Sequence, residues 1–292
     1  MNPTFRRARK EEIPTAADIF LVSVAELARN HGLPAPVAYT RAAVEPLYDH
    51  LFETGLFEVA ELDGRVVGFA AGVVREDLWF LAMFWVLPEF KLRGIGRPLL
   101  ERVKRMAEAR GARKCCTWSS IDFAAVAMYL KLGLMPAGPI FTFAGPLLQA
   151  PNRDSEARVV ALDPSHASAI DHVVRGTPRS EDHAFWRARN VPGFQVEVSG
   201  RTVGYFYSEK GVIGPAAWLR EEDGALLVAC ALTQANDQAS PSGVKLIALG
   251  LNQVAIVAAT AAGLRLISAS HFLCSEAFGK LDQYLPSGPG LF

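Results

Sequence analysis

The stretch Val86-Leu87-Pro88-Glu89-Phe90-Lys91-Leu92-Arg93-Gly94-Ile95-Gly96-Arg97-Pro98-Leu99 decides how this sequence folds. The hydrophobic run 78–86 before it predicts a buried strand, and apolar residues spaced three and four apart after it predict a helix that ends at Gly111. Glycines at 94 and 96 let consecutive backbone N–H groups converge on an anion, because no Cβ obstructs them. The helix N-terminus adds partial positive charge, so the stretch predicts a pyrophosphate site.

Two established phosphate-binding motifs do not fit this loop. Leu99 stands where the third glycine of the dinucleotide-binding fingerprint belongs. Gly96 is followed by Arg97-Pro98, whereas a P-loop requires Lys followed by Ser or Thr. A tight turn with a solvated basic rim is the alternative that the loop alone leaves open.

A second motif begins 28 residues after Gly94, at Asp122. Asp122 is placed to cap a helix, and Gly133 is placed to end it in the left-handed conformation. Tyr129 falls on the inward stripe of this helix, where a tyrosine is ordinarily a core residue with its hydroxyl at the edge. A phenol there is also chemically suited to donate a proton at neutral pH.

The two motifs, in this order, resemble the GNAT superfamily of acetyl-CoA-dependent N-acetyltransferases. The loop is similar to the family's pyrophosphate loop, Gln/Arg-x-x-Gly-x-Gly/Ala, with Lys91 as a departure that keeps a cation. The stretch 122–134 is similar to a later family motif, which usually begins with Asn and ends with Gly-Phe. The resemblance implies an α/β fold of α+β type, with a mixed, mostly antiparallel twisted sheet flanked by helices.

The resemblance also implies roles for individual residues. Tyr129 would be the catalytic acid that protonates the departing CoA thiolate. The backbone of the strand end would bind the pantetheine arm, and the loop would bind the pyrophosphate. The implied cofactor-binding residues are Phe84, Trp85, Val86, Lys91, Leu92, Arg93, Gly94, Ile95, Gly96, Arg97, Asp122, Tyr129 and Lys131. Asp122 is equally well explained as a helix cap alone.

The sequence contains an internal repeat. The segment 57–69, with the hairpin signal Asp63-Gly64, reappears as 194–205, and the pattern of 122–134 returns as 252–264. The second copy has no glycine loop, and Ala259 replaces the tyrosine. We interpret the repeat as one fold used twice, with the residues for catalysis and cofactor binding in the first copy only.

The domain boundary is placed in a segment rich in proline and polar residues, consistent with about two domains in 292 residues. We expect a catalytic, acetyl-CoA-binding GNAT domain over residues 1–146. Residues 156–292 are expected to form a degenerate GNAT-like domain without a pyrophosphate loop.

Composition narrows the class of partner. Lys and Arg total 30 and Asp and Glu total 30, so the charge predicts neither a nucleic acid nor an anionic membrane as partner. The sequence shows no signal-peptide pattern, and its four cysteines suit a reducing compartment, so a cytoplasmic location is expected. No His or Cys spacing predicts a metal site. A homo-oligomer is left open.

The predicted function is transfer of an acetyl group from acetyl-CoA to an amine of a small molecule or peptide, by direct attack in a ternary complex. The acceptor is not identified. The run 79–86 contains no carboxylate to serve as general base, so Glu61, Glu76, Asp77 and a water chain stay open. The aromatic residues of this run suit a strand core or an acceptor pocket. The alternative function is a non-catalytic module that senses acyl-CoA or binds a protein.

Overall fold

The computed structural model describes residues 2–32, 39–149, 151, 156–239 and 243–292. They form two compact units. The first comprises residues 1–117 and 122–134, and the second comprises residues 118–121 and 135–292. Much of the predicted linker, residues 150 and 152–155, lies outside the described residues.

The first unit consists of a sheet with helices on both faces. Its elements are β1 (Thr4–Arg7), α1 (Ile13–Asn30), α2 (Arg41–Thr54), β2 (Leu56–Leu62), β3 (Arg65–Arg75), β4 (Leu78–Val86), α3 (Gly96–Ala109), β5 (Lys114–Ser119, of which residues up to 117 group here) and α4 (Phe123–Lys131). The strands lie in the order β1-β2-β3-β4-β5, and every neighbouring pair is antiparallel except β4 with β5. The hairpin predicted at Asp63-Gly64 is present, and both residues have positive φ, 53° and 77°, as a type I′ turn requires.

Aromatic side chains fill the space between this sheet and α1 and α2. The Phe20 ring packs edge-on against Trp85, with the centroids 5.2 Å apart, and Tyr48 packs on Phe57 and Phe69. Trp79 and Phe80 are each 2% exposed, so the first half of the predicted aromatic run belongs to the strand core. The opposite face of the sheet is covered by α3, through Leu99, Leu100, Val103 and Ala107.

The second unit is also a mixed, mostly antiparallel sheet flanked by helices. Its elements are β6 (Met135–Gly145), β7 (Arg158–Ala161), α5 (Pro164–Val174), α6 (Ser180–Ala188), β8 (Gly193–Val198), β9 (Arg201–Glu209), β10 (Val212–Trp218), α7 (Gly224–Asp237), β11 (Val244–Leu249), α8 (Gln253–Ala261), β12 (Arg265–Cys274) and β13 (Tyr284–Leu285). Its strands follow the order β12-β6-β11-β10-β9-β8-β7, with β13 added to β10. The predicted α/β fold class is confirmed.

The boundary predicted at residue 146 would place strand β6 in the first domain, whereas in the structure β6 groups with the second unit. It lies between β11 and β12, pairing Leu246 with Phe143 on one side and Ser270 with Ile140 on the other. Both pairings are antiparallel and bury Phe143 and Ile140. The compact units therefore divide the chain at residue 134, because β6 satisfies its backbone hydrogen bonds in the second unit.

A cluster of buried charged and polar side chains lies at the centre of the second unit. Asp171 accepts hydrogen bonds from Arg179 Nε at 2.6 Å and from the Tyr205 hydroxyl at 2.5 Å, and its Oδ2 lies 2.8 Å from His183 Nε2. Burial alone would raise the pKa of Asp171, but the charge of Arg179 and the hydrogen bond to His183 hold it well below the usual range. Burial lowers the pKa of His183 despite the neighbouring carboxylate.

This cluster predicts acid sensitivity of folding. The unfolded chain takes up the His183 proton near pH 6.5, whereas the folded chain does so only at lower pH, so acidification favours the unfolded state. Urea unfolding is expected to show a free energy of unfolding that falls from pH 6.5 to pH 5. His183→Gln should flatten that dependence, whereas His172→Gln, at an exposed position on α5, should leave it unchanged. An equal slope in the wild type and in His183→Gln would contradict the assignment.

Candidate active site

Strands β4 and β5 separate part-way along their length. Their parallel pairing runs from Leu78 with Lys114 to Leu81 with Thr117, where the Thr117 hydroxyl donates to the Leu81 carbonyl at 2.8 Å. A β-bulge follows directly, because Ala82 is an extra residue opposite β3. Strand β4 continues to Val86, so its last residues run beyond the described pairing with β5.

The backbone of this strand end has an edge that faces away from β3. The Leu87 N–H donates to the Val67 carbonyl of β3 at 2.9 Å. Because backbone groups alternate along a strand, the N–H and C=O groups of Phe84 and Val86 point to the opposite side. There the Val86 carbonyl accepts a hydrogen bond from the Ser23 hydroxyl of α1 at 3.3 Å. The Phe84 amide groups and the Val86 N–H remain directed into the opening.

The loop after β4 leads directly into the N-terminus of α3. Leu92 and Gly94 have φ of 61° and 77°, and the Leu92 side chain is 100% exposed. Within the described part of the chain, the backbone N–H groups from Leu92 to Arg97 donate to no acceptor. No side chain caps α3 at Ile95. The loop thus presents a row of unsatisfied donors at a helix N-terminus, which is the arrangement that binds phosphate oxygens.

Glycine at position 96 is explained by packing rather than by φ. A Cβ there would lie 3.0 Å from both Phe84 Cζ of β4 and Met128 Cε of α4. The loop, the strand end and α4 therefore meet around Gly96. Tyr129 of α4 belongs to the same contact region, with its ring edge-on to that of Phe84 and the centroids 6.3 Å apart.

Tyr129 is buried with its hydroxyl unused by the fold. The residue is 6% exposed, and its hydroxyl bonds to no described residue. Burial raises the pKa of the Tyr129 phenol, and the nearby Asp122 carboxylate and Cys115 thiol raise it further. The phenol consequently keeps its proton at neutral pH and has it available for donation.

Residues 21–134, which contain all of these features, match the Acetyltransferase (GNAT) family. The chain carries a GNAT acetyltransferase domain. The predicted family resemblance is thereby confirmed.

Solved structures extend the similarity over the whole chain. A proposed acetyltransferase from Pyrococcus horikoshii matches with a TM-score of 0.77 and 15% identity, covering 99% of this chain and 96% of that chain. A GCN5-related N-acetyltransferase from Sphaerobacter thermophilus gives a TM-score of 0.65 at 15% identity, over 93% of this chain and 95% of that one. A tandem GNAT protein from the clavulanic acid biosynthesis pathway gives 0.62 at 15% identity, over 94% and 98%. These similarities establish the fold. None of the curated protein sequences compared matches the chain.

The cations predicted at the rim of the GNAT loop have partners within the first unit. The Lys91 ammonium is ion-paired with the Glu26 carboxylate of α1. Arg97 Nε donates to Glu101 at 2.7 Å, and the Arg93 guanidinium lies 5.2 Å from the Phe90 ring centroid. Arg93 and Arg97 are exposed, whereas Lys91 is half-buried and is held by its ion pair with α1.

Two further predicted cofactor contacts lie at opposite ends of α4. Asp122 caps the helix by accepting from the Ala124 N–H at 2.9 Å, as the sequence predicts. Lys131 is exposed at the other end of this helix, two or more turns from Asp122. The charge of Asp122 acts on the pKa of the Tyr129 phenol, and none of the described hydrogen bonds or ion pairs of the first unit links Lys131 to the loop.

The carboxylates considered as general bases are used elsewhere. Glu61 accepts from Arg6 Nε at 2.9 Å, Asp77 pairs with Lys114 at 3.1 Å, and Glu76 occupies an exposed turn with φ of 50°. The geometry brings none of these three to the opening at the end of β4.

Sequence reasoning missed two polar residues that shape this domain. Ser23 is fully buried on the apolar stripe of α1, and its hydroxyl donates a hydrogen bond to the Val86 carbonyl. Glu58 of β2 is fully buried and accepts from Arg102 Nε of α3 at 2.6 Å. A polar residue on an otherwise apolar stripe is the signal that could have revealed Ser23.

Among the described residues, no helix is long and apolar enough to cross a membrane, and no group of His, Cys, Asp or Glu is arranged to hold a metal ion.

Proposed function

We propose that the first unit transfers an acetyl group from acetyl-CoA to a primary amine. The observation that carries this proposal is the row of unsatisfied N–H groups from Leu92 to Arg97, next to the open edge of β4. Pyrophosphate oxygens would accept hydrogen bonds from these donors, and the α3 dipole would stabilise their negative charge. Arg93 and Arg97 would contribute further positive charge at the exposed rim.

The edge of β4 suits an amide-containing chain. The Phe84 C=O would accept from an amide N–H of the pantetheine arm, and the Val86 N–H would donate to an amide carbonyl, as in strand addition. Trp85 points its side chain to the opposite face, toward Phe20. Asp122 would accept a hydrogen bond from the cofactor, since a carboxylate is an acceptor only.

Acetyl-CoA supplies an activated thioester, and the protein's task is to orient it and to manage one proton. The neutral amine nitrogen forms a bond to the carbonyl carbon while the carbon–sulfur bond breaks. Tyr129 would donate its proton to the departing sulfur, where negative charge develops only during bond cleavage. The amine's excess proton would leave to water, and the Tyr129 oxygen would regain a proton from water before the next turnover.

The absence of a carboxylate from residues 79–86 of β4 favours one alternative, a domain that binds acyl-CoA without turnover. A panel of amines separates the two functions. We expect release of free thiol from acetyl-CoA to depend on the presence of an amine, among polyamines, amino acids, peptides and aminoglycosides. Binding of acetyl-CoA with no thiol release for any acceptor would favour the sensing function.

The stoichiometry of binding gives a second test. Calorimetric titration is expected to show one acetyl-CoA per chain, bound by the first unit, with affinity that falls as salt rises because charge contributes. The second unit has Ala259 in place of the tyrosine and no glycine loop. Two sites per chain, or a single site that survives disruption of the loop at Gly94, would contradict the proposal.

A further inference from the structure

Helix α1 contacts the end of β4 and the loop that follows it through three of its residues. The three are spaced three positions apart, so they lie on one side of the helix. The contacts, in chain order, are Phe20 with Trp85, Ser23 with Val86, and Glu26 with Lys91. The first joins two aromatic rings, the second is a hydrogen bond to a backbone carbonyl, and the third is an ion pair. Helix α1 therefore runs alongside the segment that leads into the glycine loop.

The ion pair lies immediately before the unsatisfied N–H groups of the loop. Lys91 follows the 3-10 turn Pro88–Phe90, and its backbone N–H donates to the Pro88 carbonyl at 3.2 Å. The side chains of Lys91 and Glu26 are 36% and 21% exposed, so solvent screens the pair less than it would a fully exposed one. The pair thus holds the chain at the residue from which the loop departs.

The pair also holds the Lys91 ammonium on the α1 side of the sheet. Helix α1 packs on the face that carries Trp85, and α3 covers the opposite face. The N–H groups from Leu92 to Arg97 lead into α3. Lys91 is therefore held by one helix, whereas the donors that follow it belong to the approach to the other.

Transfer of Lys91 from Glu26 to a phosphate would be unfavourable. Among the described ion pairs, Glu26 has no cation other than Lys91. A carboxylate that lost this cation would be left partly buried, and it would repel an anion bound nearby. Arg93 and Arg97 are exposed, so they can approach a phosphate without breaking a contact to α1.

We propose that Glu26 and Lys91 are positioning residues, which hold the start of the loop against α1, and that Lys91 stays paired with Glu26 when acetyl-CoA is bound. This gives Lys91 a different role from the phosphate contact that the family resemblance implies. The positive charge that meets the pyrophosphate then comes from Arg93, Arg97 and the N-terminus of α3. The cofactor in this inference rests on the proposed function, whereas the ion pair is a feature of the chain itself.

Exchange of the two charges tests whether Lys91 acts through Glu26. The double variant Glu26→Lys/Lys91→Glu keeps the net charge and can form the pair in reverse. We expect Lys91→Glu alone to bind acetyl-CoA about five-fold more weakly, and the double variant to bind within about two-fold of the wild type, by isothermal titration. A double variant that binds no better than Lys91→Glu would show that the ammonium at position 91 is needed at the phosphate, and would overturn the proposal.

Arg41→Asp is the matched control for the change in charge. Arg41 of α2 pairs with Asp18 of α1, and the partners described for it do not include the loop. The substitution alters the net charge by the same amount as Lys91→Glu and also removes an ion pair of α1. It should leave acetyl-CoA affinity unchanged. A loss as large as that of Lys91→Glu would attribute the effect to net charge and contradict a specific role for the pair.

Glu26→Asp is a milder test that does not depend on the folding of the exchanged variant. It withdraws the carboxylate from Lys91 by one methylene and keeps the charge. We expect KM for acetyl-CoA to rise about three-fold, more than kcat falls, with the free energy of unfolding unchanged. If Lys91 served as a phosphate ligand, its release from Glu26 would leave KM unchanged or lower it. Either of these results would overturn the proposal.

Hydrogen exchange without cofactor separates this inference from the proposed function. The Phe90 and Lys91 N–H groups donate to the carbonyls of Leu87 and Pro88, so their exchange reports on order at the start of the loop. Glu26→Asp should accelerate this exchange, whereas Asp18→Asn should not. A wild type that binds no acetyl-CoA would refute the proposed function while leaving this readout intact. Equal exchange rates in the wild type and in Glu26→Asp would refute the positioning role.

Discussion

Replacing Tyr129 by phenylalanine is expected to lower kcat for acetyl transfer about 100-fold, the lower end of the range for loss of a general acid. The affinity for acetyl-CoA should change little, because the ring that packs against Phe84 is kept. The free energy of unfolding should also change little, since the Tyr129 hydroxyl bonds to no described residue. Single-turnover kinetics, binding titration and urea unfolding measure the three quantities.

Tyr48→Phe is the matched control for this variant. Tyr48 is a buried tyrosine of the same unit, on the opposite face of the sheet, with its hydroxyl 3.7 Å from the Met83 sulfur. The Tyr48→Phe substitution should leave kcat unchanged. A similar kcat for the wild type and for Tyr129→Phe would rule out the acid role, and parallel losses of kcat and stability would indicate a structural role.

The pH dependence of kcat for the wild-type protein provides a further test of the acid role of Tyr129. Burial raises the pKa of Tyr129 above its usual value near 10, so the acid stays protonated across the physiological range. The kcat profile should therefore show no falling limb from this residue below about pH 10.

Local features of the fold could be predicted from the sequence because they depend on neighbours in the chain. Asp63-Gly64 specifies a hairpin through backbone conformation alone, and the helix cap at Asp122 acts over two residues. The glycines of the loop are also explained by local requirements. Gly94 has a positive φ, and Gly96 is packed too closely for a side chain. The glycine loop and the helix that begins at Asp122 carried the family resemblance.

Long-range pairings could not be predicted in this way. The placement of β6 between β11 and β12 joins residues about a hundred or more positions apart, and sequence periodicity does not report on such pairing. Strand β13 has two residues, too few for any periodic pattern. The Lys91–Glu26 pair and the Asp171–Arg179–His183 cluster join charged residues that, one at a time, resemble solvated surface groups.

Gly94→Val is expected to weaken acetyl-CoA binding about ten-fold or more while leaving the first unit folded. Gly94 has φ of 77°, and a Cβ at this position would meet no heavy atom within 4 Å, so the effect is conformational rather than steric. An L-residue in the left-handed region costs about 1–2 kcal/mol, which corresponds to roughly a ten-fold change in an equilibrium constant. A loop with valine relaxes away from this conformation, and binding must then restore it.

Gly64→Val provides a close control, because Gly64 has the same φ of 77° and the same open surroundings, in the turn between β2 and β3. Both substitutions impose the same backbone strain, but only Gly94→Val does so in the loop whose N–H groups would bind the pyrophosphate. Isothermal titration should therefore show weaker acetyl-CoA binding for Gly94→Val alone, with a loss of stability in Gly64→Val. Equal affinities for the two variants would mean that the turn from Lys91 to Arg97 is not the pyrophosphate site.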